Sequence, residues 1–233
     1  MRGNDRRWRQ LTVWLHVVTS VGWMGLALAL FALLALGATD TGNAAAATAM
    51  AHFLDTALLA PLANASASTG LVLALGTAWG LVHQRWVLAK FAITLAQLYA
   101  GIFLLSDALD EAATTAEAGP AMALGTVAMA GALGFQAWLS VAKPWSRTRW
   151  ARHRETGRPV RLPTAPPALF AVAVLAPLAD IAVGTAVGFP TPLLSLLSVV
   201  VAAVLRRRAL RAPDAPGRRQ IGHTTASIRE TRP

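Results

Sequence analysis

Residues 6–37 read RRWRQLTVWLHVVTSVGWMGLALALFALLALG. The arginines Arg6, Arg7 and Arg9 end at Gln10, and no Asp, Glu, Lys or Arg follows through Gly37. An α-helix rises ~1.5 Å per residue, so about 20 apolar residues cross a hydrocarbon core of ~30 Å. Residues 11–36 exceed that length. They also exceed the ~7–15-residue apolar region of a cleaved signal peptide. The stretch reads as an uncleaved first span behind a basic arm, residues 1–10.

Outward from this stretch the pattern repeats. Apolar runs at about 53–79, 86–105, 121–141 and 168–189 read as spans 2 to 5, with Pro61 placed to kink the second and the alanine run at 44–47 available to extend its start. A sixth run, 193–205, is short: its 13 residues cover only ~20 Å. It reads as a full crossing, a crossing of a thinned region or a re-entrant piece. Pro190 and Pro192 predict a tight turn before it. All 21 Lys and Arg then fall on one side. Four precede span 1 (Arg2, Arg6, Arg7, Arg9), and Arg85 and Lys90 mark the turn between spans 2 and 3. Seven lie from Lys143 to Arg161 and eight from Arg206 to Arg232. This is the positive-inside distribution. The stretch 106–119, SDALDEAATTAEAG, has four acids and no cation and reads as an external loop. Seven of the eight tryptophans (Trp8, Trp14, Trp79, Trp86, Trp138, Trp145, Trp150) fall near the cytoplasmic interface, where amphipathic rings prefer to sit; Trp23 is deep.

The expected fold is an all-α polytopic transmembrane bundle of about six spans with cytoplasmic N- and C-termini. Its parts are a basic N-arm (1–10), a four-helix core (11–142), a basic cytoplasmic loop (143–167), a helical hairpin (168–205) and a disordered basic tail (206–233). A hydrophobic content of 55% with mean hydropathy +0.49 argues against a soluble domain. The net charge of +10 sits beside the spans, which points to anionic lipid headgroups at the cytoplasmic face rather than nucleic acid. The absence of cysteine excludes disulfides, thiolate metal sites and Cys-linked haem. The Arg-over-Lys bias and abundant Ala suggest a GC-rich bacterial source and hence a bacterial inner membrane.

Charge inside hydrocarbon is costly, so intramembrane polar residues are the candidate functional groups. His16, Thr19, Ser20 and Trp23 share one helical face of span 1. His16 reads either as a metal or haem ligand or proton carrier, or as an interhelical hydrogen-bonding group. In span 2, His52 and Asp55 lie at i, i+3, and Met50-x-His52 offers copper a soft and a borderline ligand; the same residues also suit a polar helix cap. Asn64, Ser66, Ser68, Thr69 and Gly70 form a small-polar stretch fit for close helix packing. Span 3 carries Lys90, Thr94, Gln97 and Gly101 down one face, and span 4 carries Met129, Gln136 and Ser140, so the two glutamine-bearing stripes can form a polar seam. Asp180, near mid-depth in span 5, is either functional or a hydrogen-bonded structural acid. His83, His153 and His223 read as solvated. No nucleotide-binding glycine loop, nucleophile elbow, HExxH or paired catalytic carboxylate motif occurs, so no enzymatic activity is expected.

Trp14-Leu15-His16 leading to Gly22-Trp23-Met24-Gly25, then Ser68-Thr69-Gly70-Leu71, then Trp86-Val87-Leu88-Ala89-Lys90-Phe91 resemble an uncharacterised bacterial multi-span integral membrane protein family, itself distantly similar to the copper resistance D family. The resemblance covers roughly residues 11–105. It implies a helical bundle and copper handling, and carries over to His16, Trp23, Gly25 and Lys90. Three functions compete: small-solute or ion transport, slightly ahead; a metal- or b-type-haem-binding electron-transfer protein; and an accessory or sensor subunit. The residues require no cofactor, with copper or haem as the open options.

Overall fold

The computed structural model describes residues 3–145, 147–151, 163–189 and 191–211, and within them the chain is helical without a β-strand. Six long helices follow in order: α1 (Gly3–Thr39), α2 (Ala44–Gly76), α3 (Arg85–Thr115), α4 (Pro120–Ala142), α5 (Pro167–Val187) and α6 (Leu193–Arg211). The first five contain stretches long and apolar enough to cross a membrane; α6 is not among them, its last turns carrying Arg206, Arg207, Arg208 and Arg211.

Neighbouring helices run antiparallel. The His16 ring meets Gly70, Gly22 meets Leu62 and Gly37 meets Ala44 and Ala47, so α1 and α2 pass in opposite directions. Lys90 pairs with Ser140 and Gln97 with Met129, which sets α3 against α4 the same way. One apolar core gathers around Trp23, Leu30, Leu34 and Leu133; a second, built on Val72, Phe170 and Ala202, joins α2, α5 and α6. The small faces of Ala27, Ala63 and Ala173 let backbones approach, as helix packing in lipid requires.

Two helices carry a widened turn. In α2 residues 55–59 are π-helical, and the Ala60 N–H donates to the Asp55 carbonyl five residues back. Pro61 follows directly. It has no N–H to offer the preceding turn, and the wider turn absorbs that defect. In α3 residues 101–105 are also π-helical.

Several expectations need correction. The acidic stretch from Ser106 to Thr115 is helix, continuous with α3, rather than loop, because Leu109 and Ala112 bury one face against the start of α2. The helix α2 stops at Gly76, short of Trp79, while its start at Ala44 is the extension that the alanine run allowed. The residues 206–211, expected at the start of a disordered tail, complete α6: the Arg206 guanidinium donates to the carbonyls of Pro163 (2.8 Å) and Thr77 (3.4 Å), which anchors the helix end. His83 is half-buried with Nδ1 shielded and unpartnered rather than solvated, because Thr148 closes over its turn through bonds to Val82 and His83 carbonyls. Pro190, Ser146 and residues 152–162 of the basic loop (with His153), and the tail beyond Arg211 (with His223), lie outside the described residues.

Candidate functional site: a cavity beside Asp180

A cavity of about 300 Å³ lies between α2 and the α5–α6 hairpin. Phe53, Thr56, Pro61 and Asn64 form the α2 wall; Pro177, Asp180, Ile181, Gly184 and Thr185 form the α5 wall; Phe189, Thr191, Pro192 and Ser195 close it from the hairpin. Backbone chemistry shapes it. Pro177 interrupts the α5 hydrogen-bond ladder one turn before Asp180. Gly184, one turn after, leaves the wall without a side chain. Gly188 ends α5 at φ +86°, a left-handed conformation that glycine adopts freely.

Asp180 is 8% exposed, and its two oxygens accept the backbone N–H groups of Leu194 (2.9 Å) and Ser195 (2.7 Å). First-turn N–H groups have no carbonyl partner within their own helix and carry the positive end of the helix dipole. The acid therefore caps a neighbouring helix. This also fixes the level of α6: α5 continues seven residues beyond Asp180, so α6 begins about 10 Å below the end of α5 by helix rise. Two shielded hydroxyl oxygens of lining residues, Ser195 Oγ and Thr191 Oγ1, have no partner among the described residues. Ser195 itself is only 2% exposed.

The other candidates fall into three groups. His16 Nδ1 lies 3.0 Å from the Ser66 carbonyl and 3.3 Å from the Thr69 hydroxyl, while Ser20 and Ser66 hydroxyls meet at 2.7 Å. This is an α1–α2 clasp, one turn from Asn64 at the cavity. Trp23, 2% exposed, is core, with Nε1 unpartnered. The α3–α4 seam is a ladder: Lys90 Nζ donates to Ser140 Oγ (2.7 Å), Thr94 to Gln136 Oε1 (3.0 Å), Gln136 Nε2 to Gln97 Oε1, and Gln97 Nε2 to the Met129 carbonyl (3.0 Å).

The third group does not converge. His52 Nδ1 lies 3.0 Å from Asp110 Oδ1 but off the line of a hydrogen bond. Asp55 instead accepts from the Ser106 hydroxyl (3.1 Å). Met50, 57% exposed, is two residues from His52 in a helix, so the two point to different faces. His16 sits beside Gly70, eighteen residues down α2 from His52, or about 27 Å by helix rise. Among the described residues no three His, Cys, Asp or Glu side chains gather where a metal could be held, and the two histidines do not face each other at one depth as bis-His haem requires.

Ser195, Thr191 and Asp110 escaped the sequence reading. The signal available for the first was the i, i+3, i+7 face of Ser195, Ser198 and Ala202, all buried. No family model, no curated protein and no solved structure matches the chain.

Proposed function

We propose that the chain is a six-span membrane protein with both termini cytoplasmic, whose cavity takes a small solute from the outer side as part of transport or solute handling. The single observation that carries this reading is the cavity: about 300 Å³, at the small end of ligand-pocket size, with apolar walls and a few converging polar groups. The orientation rests on the one-sided distribution of all 21 cations. In that orientation α5 runs outward, so residues 177–188 and the first half of α2 belong to the outer leaflet. The sixth crossing is α6: its 19 residues span about 28 Å and end in arginines, which belongs to a helix that starts recessed and emerges at the cytoplasmic face. A bacterial inner membrane suits this orientation.

The chain has no cysteine, so single introduced cysteines report cleanly. Asn64→Cys in oriented membranes should react with a small impermeant thiosulfonate added from the outer side, and more slowly with a reagent too bulky for the cavity. Reaction only from the cytoplasmic side, or none with protein shown to be folded, would sink the reading.

A further inference from the structure

Resting on the cavity as a solute site, we infer that it selects small organic monocations: an ammonium with N–H donors on an apolar body. A bare helix N-terminus favours anions. Here the sign is reversed, because Asp180 occupies the N–H groups of Leu194 and Ser195 and is, among the described residues, the one formally charged side chain in the wall. An anion would meet that carboxylate with no Lys or Arg among the described lining residues to offset it, whereas a cation is attracted in a medium of low dielectric. A carboxylate has about four acceptor positions and only two are engaged, so room remains for a donor. Ser195 Oγ, almost fully buried, and Thr191 Oγ1 lack partners, and unpaired buried hydroxyls are costly. Once its side chain turns toward the cavity, either oxygen takes a donor from an ammonium held beside Asp180. Phe53 and Phe189 line the cavity and take the apolar body.

The test is protection of Asn64→Cys in the full chain, in nanodiscs, by three probes of one shape: benzylammonium, benzyl alcohol and benzoate. Benzylammonium should protect at concentrations on the order of tenfold lower than benzyl alcohol, as a charge-assisted hydrogen bond implies, and benzoate should not protect. Adding Asp180→Asn should erase the difference between amine and alcohol. Adding Ser195→Ala, which leaves the capping carboxylate in place, should weaken protection by the amine. Equal protection by amine and alcohol in the parent would overturn cation selectivity and leave the solute cavity standing. Protection by benzoate, or Ser195→Ala without effect, would overturn the proposed donor arrangement. Failure of all three probes at a cysteine that still reacts from outside would overturn the inference outright.

Discussion

His16 and Gly70 show how a single atom sets a helix contact. A Cβ built at Gly70 would lie 2.8 Å from His16 Cε1, closer than real Cβ atoms approach. The expected result for Gly70→Ala is a loss of about 1–3 kcal/mol in reversible unfolding, since overpacking moves backbone and ring together. His16→Ala in the same chain should recover part of that loss, and strict additivity of the two changes would show that they do not touch. Asp180→Leu should be worse than Asp180→Asn. Leucine leaves the Leu194 and Ser195 N–H groups unpartnered, at about 1–3 kcal/mol each, while asparagine keeps one acceptor. Equal melting temperatures for the two variants would deny the cap. The inward face of His16 was legible from Thr19, Ser20 and Trp23 at helical spacing. Its partners were visible only as a small-polar stretch, because a linear pattern does not say which helix faces which. That Asp180 faces other helices was legible too, and it is buried, but its partners are backbone N–H groups, which leave no mark in side-chain identity.

Among elements, α3 is the peripheral helix: little of its apolar stretch is buried, and Leu95, Tyr99, Ile102 and Phe103 are exposed. The side-chain ladder to α4 therefore bears much of its attachment. A double-mutant cycle on Gln97→Leu and Gln136→Leu should return a coupling of about 0.6–1.7 kcal/mol, the range for interhelical hydrogen bonds in bilayers. Zero coupling would mean the two amides do not meet. The turn before α3 carries a pH effect. Burial, and then the positive Arg206, lower the His83 pKa below its usual 6.5. The unfolded chain thus takes up the proton first, so the contribution of His83 is complete above about pH 6.5 and declines as pH falls below that value. The drop in melting temperature between pH 7 and pH 5 should be smaller in His83→Gln, and an unchanged drop would remove this group from the pH response. The span centres were legible because long apolar runs and charge boundaries are one-dimensional signals. The C-terminal extension of α3 was not, since its acids suggested loop while the packing of Leu109 and Ala112 on α2 outweighs them. Nor was the full length of α6: arginines stop a hydrophobic run without stopping a helix.

At the scale of the whole molecule, the cations, the recessed start of α6 and the cavity fit one arrangement. Every described Lys and Arg lies toward the end that holds the α2–α3 turn, while the cavity occupies the opposite half. The claim on which the solute reading depends is this sidedness, with six crossings. Side-resolved labelling of three single-cysteine variants by an impermeant reagent tests it most directly. The expected result is that Ala113→Cys labels from the outer side only, and that Ser146→Cys and Ala226→Cys label only once the cytoplasmic face is opened. Labelling of Ala113→Cys and Ser146→Cys from the same side would contradict the topology, and labelling of Ala226→Cys from outside would contradict the sixth crossing.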